Sequence, residues 1–418
     1  MAGRAQAAAS SRAPEGIPPG SQIRSAGERP VKILFVTGEF PPMEGGVGDY
    51  TREIGVALVE QGCEVHVLTA VHARPVEGLI VLPVVERWGW GSWRILLDTI
   101  RRESPDVVHI QYQAAAFAMH PAINLFPRRL RLVASRPIAA VTFHDLKVPY
   151  LFPKAGPLRP WVIKELARSS DLAVTTNRAD FERLGQDLGR PPALIPIGSN
   201  IRCCPPDGYE RDAWRARWGA RPGDLLLCFF GFVNDRKGVD TLLLALEQLV
   251  SADDGAAKTF LLMIGGQTGA SDPTNVAYLA RMKALIADLH LEDRVLWTGY
   301  VPAEEVSASF LAADLCVLPF RDGVSLLHGT LHAALAHGVP IVTTQPRLAL
   351  PELIHGENAY LVPRQDPEAL ASATRRLAGD PGWRQTLGQG AKALSEEFRW
   401  DRIAAETLAL YEGMGVNA

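Results

Sequence analysis

The sequence predicts an α/β protein built from two doubly wound parallel-sheet domains in tandem, facing a central cleft. Three observations carry this. The chain has 418 residues, room for two domains at ~100–200 residues each. From residue 31 onward, apolar runs of strand length alternate with helical segments, the rhythm of βα units. Those runs are continuous in Val, Ile and Leu, as expected of strands covered on both faces.

In chain order, residues 1–30 are rich in Ala, Arg, Ser, Gly and Pro, lack an apolar period and read as a disordered tail. Strands are expected at 31–36, 64–69, 79–84, 106–111, 138–143, 171–175 and 193–196, with helices at 47–61 and 178–188. A loop with Pro, Gly and Asn follows at 196–208. The second series has strands at 224–230, 259–264, 294–297, 314–319, 340–343 and 359–362. Its helices are expected at 239–249, 276–289, 303–312, 330–337 and 367–378. A last helical stretch, 402–411, lies beyond the second series and is placed to return across the cleft. The resulting division is 1–30, 31–197, 198–390 and 391–418.

Composition narrows the function classes. Hydrophobic residues make 47% and charged residues 21% of the chain, which argues against a disordered protein. No apolar run reaches the ~18 residues of a membrane span, so at most peripheral membrane contact is expected. A net charge of −3 removes the usual footprint of a nucleic-acid binder. The five cysteines form no CxxC pair, so neither a disulfide framework nor a structural zinc site is expected. A reducing cytoplasm is the expected location, and no secretory apolar core follows the first arginines. The sequence names no oligomeric state.

Ligands of doubly wound sheets bind beyond the carboxyl ends of the strands, so the loops there are the candidates. The first runs Thr37-Gly38-Glu39-Phe40-Pro41-Pro42 to Gly45, Gly46 and Gly48. It fits a flexible turn as well as an anion-binding helix start, and it is not GxGxxG. His144 and Asp145 end the fifth strand, where His144 is placed to donate to a sugar hydroxyl or to act as a proton donor. A solvated loop histidine fits equally well. His109, inside an apolar strand, reads as a core or cleft-wall residue. The second domain opens with Gly231-Phe232-Val233-Asn234-Asp235-Arg236-Lys237-Gly238. Cations at a helix start oppose its dipole unless an anion neutralises both. A diphosphate does that, with Arg236 as a fork and Lys237 as a point charge. The sharpest segment is Asp322-Gly323-Val324-Ser325-Leu326-Leu327-His328-Gly329-Thr330. Ser325, Gly329 and Thr330 present hydroxyls and N–H groups to a phosphate, and Asp322 accepts from sugar hydroxyls. Gly329 is expected to turn the chain tightly, and Thr330 to begin the helix. His328, His332 and His337 do not read as a metal cluster. The aromatic run Trp88, Trp90 and Trp93 fits loop packing or an acceptor groove.

From residue 31 to near the end, these residues together resemble the GT-B glycosyltransferases, specifically the retaining family-four group that uses nucleotide sugars. The resemblance rests on the opening glycine turn, Asp106-Val107-Val108-His109, Thr142-Phe143-His144-Asp145, Ile195-Pro196-Ile197-Gly198 and Lys237-Gly238. It rests also on Thr298-Gly299-Tyr300-Val301-Pro302 and Ala334-Leu335-Ala336-His337-Gly338-Val339-Pro340. It implies two Rossmann-like domains, the first on the acceptor side and the second binding the nucleotide sugar. It implies transfer of a sugar from a nucleoside-diphosphate sugar to an acceptor the sequence does not name, with retention and no metal or other cofactor. His144, Lys237 and Arg236 are the implied catalytic residues. Gly45, Gly46, Gly48, Asp322, Gly323, Ser325, Gly329 and Thr330 are the implied donor-binding residues. Two features depart from the family. Its two glutamates, eight residues apart, correspond here to Ser325 and Ala333, and an arginine after the first-loop glycine corresponds to Phe232. Asp322-Gly323 is expected to serve in place of the first glutamate. Two other readings follow from these departures or the shared cleft: a catalytically weak homologue that binds a sugar nucleotide or a partner, and a sugar-nucleotide epimerase.

Overall fold

The structure is a computed structural model and describes residues 29–43, 45–133, 136–146, 158–253, 255, 257–266 and 273–416. Most of the expected tail and Glu44 of the first loop lie outside the described residues. Seven strands make the first sheet: β1 (Lys32–Thr37), β2 (Glu64–Ala70), β3 (Ile80–Val85), β4 (Val107–Tyr112), β5 (Ile138–Phe143), β6 (Leu172–Thr175) and β7 (Ala193–Leu194). Six make the second: β8 (Leu225–Phe230), β9 (Thr259–Ile264), β10 (Val295–Gly299), β11 (Leu315–Leu318), β12 (Ile341–Thr344) and β13 (Tyr360–Val362). The orders are β3-β2-β1-β4-β5-β6-β7 and β10-β9-β8-β11-β12-β13. Every ladder between these strands is parallel. The order reverses between β1 and β4 and again between β8 and β11, and such switch points open crevices at the carboxyl ends.

Helices cover both sheets: α1 (Gly46–Glu60), α2 (Ser92–Glu103), α3 (Ala122–Leu130), α4 (Leu158–Ser169), α5 (Arg178–Leu188), α6 (Arg211–Arg217) and α7 (Val239–Val250). They continue with α8 (Pro273–Asp288), α9 (Ala303–Ala312), α10 (Gly329–His337), α11 (Pro367–Ala378), α12 (Pro381–Ser395) and α13 (Trp400–Glu412). Each expected strand lies within a residue or two of an observed one. Five helices, α2, α3, α4, α6 and α12, were not expected. Pro127 sits inside α3 and reads as a breaker, and α6 has only seven residues. Helix α12 carries Gly388 and Gly390, which lower its helical signal. Both are needed for packing, since a Cβ on Gly388 would lie 2.5 Å from the Gly338 carbonyl oxygen, and one on Gly390 would run into that of Glu357.

One helix ties the two halves together. Ile403, Ala404, Leu408 and Tyr411 of α13 share a core with Tyr50, Ile54 and Leu58 of α1. Burying an aliphatic side chain of this size contributes about 1.5–3 kcal/mol, so α13 is held firmly on the first sheet's layer. The Trp400 indole Nε1 donates to the Ser199 carbonyl at 2.7 Å, fixing the return beside the 196–200 crossover. Among the described residues no helix is long and apolar enough to cross a membrane.

Candidate active site

Both switch points face one cavity of about 770 Å³, walled by Gly46, Tyr50, His144 and Asn177 from the first half and Arg236, Asp322, Ser325 and His328 from the second. The second half supplies the cationic wall. After β8 the chain makes one 3-10 turn, Asp235–Lys237, and enters α7 through Gly238. Arg236 and Lys237 therefore precede α7, whose first residue, Val239, is the helix start that the sequence predicts. Arg321 clamps this turn to the loop after β11. Its backbone N–H donates to the Arg236 carbonyl at 2.9 Å, and its guanidinium reaches Asp240 at 2.5 Å. The two loops thus form one surface, with Arg236 exposed on the cavity.

Lys237 is half-buried; its Nζ donates to Thr330 Oγ1 at 2.9 Å and stands 5.0 Å from the Phe320 ring centre. Burial lowers its ammonium to about 8 because desolvation disfavours the charged form. A diphosphate bound at this turn, as the sequence predicts, would need that charge. Nucleoside-diphosphate affinity should therefore be level below about pH 7 and fall as pH rises through about 8, where the lysine loses its proton. Calorimetry between pH 6.5 and 9 checks this, and Lys237→Arg, which stays charged, should remove the limb.

Helix α10 begins at Gly329, not Thr330, with His328 as its cap. Gly329 has no positive φ and open space around it, so it is not the tight turn that was expected. That part falls to Gly323, at φ +90, where a Cβ would lie 2.5 Å from the Gln345 carbonyl oxygen. The N–H groups of Gly329 and Thr330 have no partner among the described residues, as is normal for a first turn. Ser325 lines the cavity, and its Oγ accepts the Leu327 N–H at 3.2 Å. Asp322 is exposed on the same wall. Ala333 is 1% exposed in the core and offers nothing to a ribose.

On the facing wall, His144 Nε2 pairs with Gln111 Oε1 at 2.9 Å, and its ring meets Tyr50 edge-on at 4.7 Å. Burial holds its pKa near 3. The ring is neutral at physiological pH and suits hydrogen bonding, not delivery of a proton, which narrows the roles expected for it. His109 is buried between Tyr411 and Thr142, the core position expected. The three glycines of the first loop part company. Gly46 opens on the cavity. Gly45 makes room for the Glu39 carboxylate, and Gly48 packs 3.1 Å from the Phe40 backbone. Trp88 is buried against Phe117, Trp93 donates to the Ala122 carbonyl, and Trp90 is 52% exposed. None of the three lines the cavity.

Sequence reasoning missed Gln111 and His328. A signal existed for each. Strand alternation puts Gln111 on the face of His109, and His328 stands at the cap position before an apolar helix.

Two descriptions of known families match the chain. Residues 45–198 match "Glycosyl transferase 4-like domain" and residues 224–380 match "Glycosyl transferases group 1". The chain is 26% identical over 407 residues to a GDP-mannose-dependent alpha-(1-6)-phosphatidylinositol monomannoside mannosyltransferase of Mycobacterium tuberculosis, covering 91% of this chain and 98% of that one. It is 30% identical over 257 residues to a D-inositol 3-phosphate glycosyltransferase of Xylanimonas cellulosilytica, covering 59% and 58%. Among solved structures, sucrose-phosphate synthase from Thermosynechococcus elongatus shares the fold at a TM-score of 0.69, with 22% identity, 91% of this chain and 98% of that one. Anabaena HepE in complex with UDP does so at 0.70, with 18% identity, 91% and 100%.

Proposed function

The chain belongs to the group 1, GT4-like glycosyltransferases of GT-B fold, and on that premise we propose that it moves a hexose, with retention, from a nucleoside-diphosphate hexose to a hydroxyl of an inositol-bearing acceptor. The observation that carries the reading is the meeting of Lys237 with Thr330 at the open start of α10. There an ammonium and free N–H groups converge where the leaving diphosphate gains charge, the arrangement that stabilises a developing anion. His144, neutral and opposite, orients a sugar hydroxyl, and Asp322 accepts from the transferred sugar. GDP-mannose is the first donor to test, because the relative that spans the chain is named for it. The acceptor class rests on the two relatives, whose names both carry inositol.

The test is nucleoside diphosphate release from GDP-mannose, UDP-glucose and UDP-N-acetylglucosamine, with and without inositol 3-phosphate and phosphatidylinositol mannoside. Acceptor-dependent release with an α-linked product from an α-configured donor is the expected result. Ser325 and Ala333, in place of glutamates, favour a second reading, a protein that binds sugar nucleotide without turnover. Binding with no release from any donor would select it, and conversion of donor without acceptor would select an epimerase.

The missing ribose carboxylate has its own consequence. With Ala333 in the core, nucleotide affinity should depend on phosphate more than ribose. Ribo- and 2′-deoxyribonucleotides should differ by less than about tenfold in affinity, the ~1.4 kcal/mol of one modest hydrogen bond. A thousandfold difference would mean that another residue holds the ribose.

A further inference from the structure

His328 caps α10 and walls the cavity, but no ligand contact has so far been given to its side chain. Its ring stacks on Phe320 at 3.8 Å between centres, 17° from parallel, and lines the cavity. The Ser325 N–H donates to its Nδ1 at 3.3 Å. An Nδ1 that accepts leaves the ring proton on Nε2. Nε2 has no partner among the described residues, so the donor edge of the ring is free. Burial first, then the nearby charges of Lys237, His332 and Arg236, hold the ring's pKa near 3. It is therefore an uncharged donor with one fixed tautomer. Its neighbours along the chain are the free N–H groups of Gly329 and Thr330, and Lys237 reaches the same turn through Thr330 Oγ1.

We propose that His328 is a further donor-site residue, whose Nε2–H gives a phosphate oxygen of the nucleoside diphosphate a neutral hydrogen bond beside the Lys237 charge. The inference rests on the nucleotide-sugar reading above. Its chemistry is positional: the Phe320 stack and the Ser325 contact fix the ring before ligand arrives, so little side-chain freedom is lost on binding. The hydrogen bond also adds no charge to a corner that already holds Arg236 and Lys237.

Two substitutions separate the ring's edges. Asparagine at 328 places an acceptor where Nδ1 was and nothing where Nε2 was. Glutamine places an N–H near the Nε2 position. Calorimetry with GDP, UDP and guanosine reads the outcome. His328→Asn should lose about tenfold in diphosphate affinity, ~1.4 kcal/mol, with guanosine binding unchanged. His328→Gln should stay within about threefold of the parent. Equal affinity of His328→Asn and parent overturns the proposal, and so does an equal fall in His328→Gln, which would make the role structural. In the unsubstituted protein, the His328 Nε2 resonance should shift on adding GDP and not on adding guanosine. An unmoved resonance in the GDP-bound protein also overturns the proposal, without needing any variant to fold. If the parent protein binds neither GDP nor UDP, the nucleotide-sugar reading itself fails, and this inference fails with it.

Discussion

Replacing Lys237 with alanine lowers turnover at saturating donor by ~10²–10³-fold and leaves the protein folded. The magnitude is that of removing one donor from a developing oxyanion in a partly desolvated site. Lys237 fits that description because its Nζ is held on Thr330 Oγ1 at the open end of α10. The charge is also pre-positioned, since the Phe320 face and the Thr330 hydroxyl fix the ammonium before ligand arrives. Folding should survive because Lys237 is not among the residues of the second half's apolar core. Its loss removes one hydrogen bond and one cation–ring contact, together about 1–2 kcal/mol. Steady-state turnover alongside a thermal melt separates the two effects. Unchanged turnover would take Lys237 out of the mechanism, whereas a collapsed melt would place it in the fold.

The parallel strands were legible because most are short apolar runs with no helical period, such as Ile33-Leu34-Phe35-Val36 and Leu226-Leu227-Cys228-Phe229. Their carboxyl ends then pointed to loops that wall the cavity, since switch-point geometry is a property of topology and not of side chains. What sequence could not give was the partner of each loop residue. Gly45, Gly46 and Gly48 look alike in sequence, yet one faces a cavity, one a carboxylate and one a backbone. Which applies depends on Glu39 and Phe40 folding back over α1. His144 was found from its place after β5, but its neutrality comes from burial beside Gln111 and Tyr50, which no local pattern encodes. His328 was passed over because it was weighed only with His332 and His337, as three histidines that do not read as a metal cluster, and not for its place on the loop. Its actual partners are Phe320 and Ser325, both on the loop between β11 and α10. The helix α10 start was missed by one residue because His328 caps it through its backbone, with no side-chain cap to mark the boundary.

Gly238→Ala should cost about 2–4 kcal/mol of stability and lower turnover ~10²-fold, although position 238 carries no functional group. Gly238 holds φ +65 and ψ 33 at the entry to α7. A left-handed conformation costs a non-glycine residue roughly 1–2 kcal/mol. The added Cβ would also run into the Pro319 carbonyl oxygen and come within 3.7 Å of the Arg321 backbone nitrogen. Backbone atoms cannot rotate away, so the 235–238 turn must move from the loop after β11. That movement breaks the surface on which Lys237 meets Thr330, and a misplacement of ~1 Å is enough to lose ~10²-fold in rate. Gly219→Ala is the control. Gly219 has φ +74, with nothing within 4 Å of an added Cβ, so it carries the conformational cost without the collision. It should lose about 1–2 kcal/mol and keep its turnover. Denaturant unfolding and steady-state kinetics on the two variants decide the matter. If both lose the same stability and neither loses turnover, the contact between the two loops does not position Lys237, and the cationic wall is assembled some other way.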